Sequence, residues 1–324
     1  MSSTDFGLIN LGNTCYMNSV LQCLKHMPVF CSQLLSYKSK FLGSKIIMEF
    51  INILNGTGKN LNNLYYNNKY YNYYYNFNSS YSPDLLKAYI ESEHPIYKGN
   101  AMHDCTEFLV NFLSLLNKEM PKNINLISDI FTVKIKVSTI FEKKQNDFCL
   151  LNYYNSQKLP TNFKHLSNIS CDEEDEDEGY FLDLPIESSD GHKLDIISEC
   201  LDEFCKPIKF SGDVNGNEYN EIVHLSDSLI INLKRIVKGK QITHCVEYPD
   251  ILDLSRYVKN NYTKLNYKLR GLIIHEGNEM YGHKIAICYN RNDGKWYFYD
   301  DDKRYECKNY LDQKNAFLLF YEKI

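Results

Sequence analysis

The hydrophobic period of this chain changes near Asn125 from mainly helical to mainly strand-like, and that change limits the fold more than any other feature of the sequence. Before it, apolar residues recur at helical spacing. Met17, Val20, Leu21 and Leu24 follow Cys15 in this way, with Thr14 as a candidate N-cap and Pro28 ending the pattern. A second helix is expected from Pro83, capped by Ser82 and carrying Leu85, Leu86, Tyr89 and Ile90. A third begins at Asp104, where Asp104 and Glu107 match a capping box ahead of Phe108, Leu109, Phe112, Leu115 and Leu116. After Asn125, Phe131 to Val137 alternates apolar and polar residues, as a half-buried strand does. Short strands are expected at 180–184, 228–233, 268–274, 284–288, 296–299 and 316–321, with one more helix from Lys193 to Phe204 and a solvated acidic loop from Asp172 to Glu178. Helices first and strands second predict an α+β fold, not a doubly wound α/β sheet.

Composition narrows the class further. At 324 residues the chain is long enough for one large domain or two ordinary ones. A net charge of −5 without a basic cluster gives no electrostatic case for nucleic acid or an anionic membrane. No apolar run reaches the ~18–20 residues of a membrane-spanning helix, and Met1 to Asp5 lacks the positive region of a signal peptide. Eleven cysteines at irregular spacing point to free thiols in a reducing compartment, hence a cytoplasmic or nuclear location. The segment 61–82, dominated by Tyr and Asn, is expected to be a low-complexity surface insertion.

Two stretches carry chemistry. In the first, Gly7 to Ser19, Cys15 falls at a helix N-terminus, where the helix dipole favours the thiolate. Asn10 offers a side-chain amide to a tetrahedral oxyanion. A lone cysteine so placed is more often a small buried hydrophobe, so the reading needs partners. The second stretch supplies them. His283 follows Gly282 at the start of a strand, and Asn292-Asp-Gly294 signals a hairpin that returns Trp296 to Asp302 alongside it. Asp300 or Asp301 would then lie beside the His283 ring, completing a nucleophile, base and orienting carboxylate.

These stretches resemble the boxes of the ubiquitin-specific protease family. Gly7 to Leu24 resembles the cysteine box, Tyr267 to Tyr299 the histidine box, and Asp300 to Asp302 the acidic motif after it. Met102 to Leu109, Leu225 to Arg235, Pro249 to Leu254 and Phe317 to Tyr321 match intervening and closing motifs, so the resemblance runs from residue 6 to 322. It implies a single papain-like catalytic domain: a thumb at about 1–122, β fingers within about 123–235, and a palm in the remainder. It further implies deubiquitination through a thioester, with ubiquitin and ubiquitinated proteins as partners. Cys15 would be the nucleophile, His283 the general base and then acid, Asp300 the orienting member, Asn10 the oxyanion donor and Asp301 a second polar helper. Asp104 and Glu107 match acidic positions near the arginine-bearing ubiquitin tail, a role that competes with helix capping.

The sequence departs from the family at three places. Many members hold a structural zinc with two Cys-x-x-Cys pairs, and this chain has no Cys-x-x-Cys; neither a metal nor another cofactor is therefore expected. Met102 and His103 replace two glutamines, and His103 is expected to be polar packing. Lys284 replaces the aromatic residue that usually follows the histidine.

Overall fold

The computed structural model describes residues 5–56, 61–62, 80–141, 172–211, 215–237, 240–259, 263–277, 282–312 and 314–324. The Tyr/Asn-rich segment lies outside the described residues from 63 to 79, as do 142–171, part of the stretch where a metal-binding pair would stand.

Helices fill the N-terminal third: α1 (Cys15–Lys25), α2 (Pro28–Ser36), α3 (Lys45–Asn55), α4 (Asp84–Glu93), α5 (Cys105–Glu119) and α6 (Leu126–Phe131); the periodicity predicts α1, α4 and α5 but not α2, α3 and α6. Pro28 both ends the first pattern and opens α2, where its missing N–H costs nothing. The cap of α4 is Pro83, one residue later than expected. At α5 the Asp104 half of the expected capping box forms: Asp104 accepts hydrogen bonds from the N–H groups of Thr106 (2.7 Å) and Glu107 (3.1 Å), without a return bond from the Glu107 carboxylate. Every residue of α1 from Cys15 to Leu24 is buried, so this helix runs through the core and does not lie on its surface. The later helix, α7, spans only Ile197–Phe204; the residues before it are extended and Ile196 bridges Glu247.

The strands begin with three short ones, β1 (Gly7–Leu8), β2 (Leu61–Asn62) and β3 (Ser80–Tyr81), in which β3 is central. A four-stranded antiparallel sheet follows, formed by β4 (Val133–Phe141), β5 (Asp172–Gly179), β7 (Ile208–Phe210) and β8 (Gly216–Leu225) in the order β5-β4-β8-β7. Its edge corrects one expectation: the acidic run Asp172 to Glu178 is strand β5, not a loop. Its backbone ladder to β4 forms the strand, and cross-strand charge offsets the repulsion along the acidic run. Lys134 and Lys136 of β4 stand opposite Glu178 and Glu176, and Lys134 Nζ lies 3.3 Å from Glu178. Like charges along such an edge also discourage pairing with another chain.

The main sheet contains β6 (Leu182–Leu184), β9 (Ser228–Leu233), β12 (Ile251–Asp253), β13 (Asn266–Gly277), β14 (Gly282–Asn290), β15 (Lys295–Asp300), β16 (Lys303–Cys307) and β17 (Ala316–Lys323). Its order is β16-β15-β14-β13-β17-β9-β6, with β12 paired to β13; a small hairpin, β10 (Ile236–Val237) with β11 (Lys240–Gln241), stands apart. The sheet is buried on both faces. Ile230, Ile273, Ala286, Leu318 and Phe320 pack toward the helices. Their neighbours Leu229, Ile231, Leu272, Ile274, Ile285, Ile287, Leu319 and Tyr321 fill a second core on the opposite face. Full burial of one such aliphatic side chain contributes about 1.5–3 kcal/mol. Two-sided burial explains why these strands read as continuous apolar runs. Because α1 packs directly on β13 and β14, its first residue comes to the end of β14 where His283 stands.

Candidate active site

The loop before α1 is folded around one side chain. Asn10 Oδ1 accepts from the N–H groups of Gly12 (2.9 Å) and Thr14 (3.1 Å) and from the Thr14 hydroxyl (3.3 Å). Thr14 occupies the cap position as expected, yet its hydroxyl turns back to accept from the Leu11 N–H at 2.9 Å, and no side chain caps the first turn of α1. The positive end of the helix is thus left facing Cys15. Gly12 sits at φ +101°, and a Cβ there would lie 2.7 Å from Asn100 Oδ1, so this turn demands glycine. Asn13, also left-handed at φ +54°, ties the loop to the Asn100 carbonyl (2.8 Å).

The β14–β15 hairpin delivers the other members. Its ladder pairs Asn290 with Lys295 and Ala286 with Tyr299, around a turn at Asn292-Asp-Gly294 with Gly294 at φ +71°. Asp300 follows one residue beyond the last pair and faces the same side as His283. His283 Nε2 lies 2.6 Å from Asp300 Oδ1. Cys15, 5% exposed at the head of α1, is the other group that acts on the ring. The hydrogen bond to Cys15 is the largest influence on the imidazole. With the Asp300 hydrogen bond and both charges, it outweighs burial and pushes the pKa up from 6.5 to about 9.

Asp301 opens the two-residue turn between β15 and β16, at φ +52°, a conformation aspartate tolerates better than most residues. Its Oδ2 accepts from Asn10 Nδ2 at 2.8 Å, and its Oδ1 accepts from Asn18 Nδ2 at 2.8 Å. Its backbone carbonyl accepts from the Leu8 N–H (2.8 Å), in a contact so close that a Cβ on Gly7 would lie 2.6 Å from that oxygen. The ligand-type atoms of His283, Asp300 and Asp301 all lie within 4.8 Å of one another, the one such trio among the described residues. The short His283–Asp300 hydrogen bond and the two amides on Asp301 account for those atoms without a metal ion.

The remaining candidates border this centre. Asp104 is half-buried and engaged as the cap of α5, whereas Glu107 is exposed on the first turn. His103 packs edge-on against Tyr16 (5.2 Å between centroids) and Tyr97 (4.9 Å), and burial lowers its pKa. The expected polar packing is replaced by aromatic packing, with His103 Nε2 buried and without a hydrogen-bond partner among the described residues. Lys284 is buried and places its ammonium 4.2 Å from the centre of the Phe317 ring. Sequence reasoning passed over Asn18. The available signal was an amide one turn after Cys15 on a helix otherwise read as apolar.

The model of the ubiquitin carboxyl-terminal hydrolase family matches residues 6–321. Among curated proteins, the chain is 25% identical to ubiquitin carboxyl-terminal hydrolase Usp2 of Drosophila melanogaster, over 98% of this chain and 34% of that protein. It is 24% identical to human ubiquitin carboxyl-terminal hydrolase 2, over 98% of this chain and 54% of that protein. The chain thus spans about a third to a half of the length of these two relatives. Among solved structures, the SAGA Ubp8/Sgf11/Sus1/Sgf73 DUB module bound to ubiquitin aldehyde shares the fold at a TM-score of 0.72 and 20% identity, covering 99% of this chain and 70% of that one. The α+β expectation holds in that match and in the element order. With a family model covering nearly every residue from the strand before Cys15 to the last strand of the main sheet, this chain belongs to the ubiquitin carboxyl-terminal hydrolase family.

Proposed function

We propose that the chain is a deubiquitinating cysteine protease that cuts the isopeptide or peptide bond after the C-terminal glycine of ubiquitin. The observation that carries this reading is the His283 ring bonded to Asp300 and raised in pKa chiefly by Cys15, which stands at an uncapped helix N-terminus. In this reading Cys15 attacks the carbonyl carbon as the thiolate, the nucleophilic form of a cysteine. The oxyanion then forms beside the N-terminus of α1 and the amide of Asn10, one N–H of which holds Asp301 and fixes the direction of the other as the donor. His283, charged at neutral pH, gives its proton to the leaving amine; the neutral ring then activates water to release the thioester. Asp300 keeps the ring oriented throughout.

In this reading helices α1 to α5 form the thumb, the four-stranded sheet the fingers and the eight-stranded sheet the palm. Ubiquitin and its conjugates are the partners. Asp104 and Glu107 would pair with the arginines of the ubiquitin tail, Asp104 while also capping α5. The test is hydrolysis of ubiquitin carrying a C-terminal fluorophore. Wild type is expected to release the dye and Cys15→Ala to release none. An inert wild type would refute the proposal. Release by Cys15→Ala would refute the assignment of the nucleophile.

A further inference from the structure

Asn18 lies deep in α1, only 2% exposed and one turn beyond Cys15. Its amide nitrogen faces three acceptors: the carbonyls of Leu8 (3.2 Å) and Ile9 (3.3 Å) and the Asp301 carboxylate (2.8 Å). All three can only accept, so the amide is forced to point its NH2 group at them. Its own oxygen is buried without a hydrogen-bond partner. A buried amide that leaves its oxygen unsatisfied is held there for what its nitrogen does.

The Asp301 carboxylate links this buried amide to the surface of the site. One oxygen takes Asn18 and the other takes Asn10, each at 2.8 Å. The oxygen end of Asn10 is held by the loop N–H groups, and its nitrogen end by Asp301. Asn18 fixes both anchors at once: the carboxylate directly, and the start of the loop through the carbonyls of Leu8 and Ile9. We propose that Asn18 is a positioning residue of this site, which orients the oxyanion donor Asn10 through the shared carboxylate of Asp301. This rests on the hydrolase reading above. It adds that the donor is preorganised from inside the helix that carries the nucleophile, so that nucleophile and donor move as one body.

A purely structural role would give a different result in a double-mutant cycle. Asn18→Ser, Asn10→Ala and the double variant are compared with wild type by steady-state hydrolysis of a ubiquitin C-terminal fluorophore. Asn18→Ser is expected to lower kcat by about 10–100-fold, with KM within about threefold, because a displaced donor weakens the transition state more than substrate binding. In the Asn10→Ala background the same change is expected to cost less than about threefold, since the donor it positions is gone. If Asn18→Ser does not fold, as judged by its melting curve, Asp301→Asn is read in the same cycle, because it breaks the same link from the solvent side. An equal loss in both backgrounds, or an unchanged kcat in the single variant, would overturn the inference. Turnover by wild type separates the two claims: an inert wild type defeats the hydrolase reading and this one with it, whereas an active wild type with an additive cycle defeats only this one.

Discussion

His283 Nε2 and Asp300 Oδ1 stand 2.6 Å apart because the β14–β15 ladder places two residues 17 apart in sequence on the same face of adjacent strands. Replacing the carboxylate by an amide keeps the shape and removes the charge that orients and supports the imidazolium. Asp300→Asn is expected to lower kcat for ubiquitin–fluorophore hydrolysis by on the order of 10²–10⁴, without loss of fold. A circular dichroism melt alongside the kinetics separates the two. Activity within threefold of wild type would move the orienting role away from Asp300.

The same pair sets the alkaline limit. The ring is charged up to a pKa of about 9, raised from 6.5 by Cys15 and Asp300. The general acid is therefore lost, and kcat/KM falls, as pH rises through about 9. Whatever stability the charged ring adds is fully present below about 6.5 and disappears over the same rise. Removing the Asp300 charge favours the neutral ring, so the alkaline limb of Asp300→Asn should lie at lower pH than that of wild type. A pH–rate profile of both proteins checks the direction.

Asp104 permits its two proposed jobs to be separated. The cap needs a side-chain oxygen, whereas pairing with an arginine needs a charge. Asp104→Ala should cost about 1 kcal/mol of stability, and Asp104→Asn much less. If the charge also grips the substrate tail, Asp104→Asn should raise KM with kcat nearly unchanged. An unaltered KM would leave Asp104 as a cap alone.

Arg235 closes the segment Leu225 to Arg235 singled out in the sequence, and the structure shows what it holds. Its guanidinium, 3% exposed, donates to the carbonyls of Ala316 (2.6 Å), His244 (2.8 Å), Lys314 (3.1 Å) and Ile242 (3.2 Å). Arg235→Met would strand several buried carbonyls. It should lower stability by about 3 kcal/mol, read as a shifted urea midpoint. Arg235→Lys should recover little, since one ammonium cannot span four acceptors.

Metal removal is expected to change nothing. The four-stranded sheet is closed by its own ladders and by charge pairs such as Lys134–Glu178. Incubation with a strong chelator should leave the melting temperature and turnover as they were. A fall of several degrees, restored by zinc, would reveal a structural site.

Much of this protein is determined locally and was legible without coordinates. The helical spacing after Cys15, the cap at Asp104, the Asn292-Asp-Gly294 turn and the apolar runs of the main sheet are each set by residues within one turn or one strand of each other. The hairpin arithmetic alone brought His283 toward the Asp300–Asp301 pair. What tertiary structure decided are relations that short-range pattern does not encode. Asp172 to Glu178 reads as a solvated run until the lysines of β4, more than thirty residues earlier, are laid opposite it. Asn18 reads as a polar lapse in a helix until Asp301, 283 residues away, arrives on its amide. Asp300 and Asp301 are adjacent and chemically alike. Only the reversal of chain direction at φ +52° sends one carboxylate to the imidazole and the other to the two asparagines. Periodicity decides which face of an element is buried, whereas contacts between distant polar groups depend on how those elements are packed, and that is where the chemistry of this site resides.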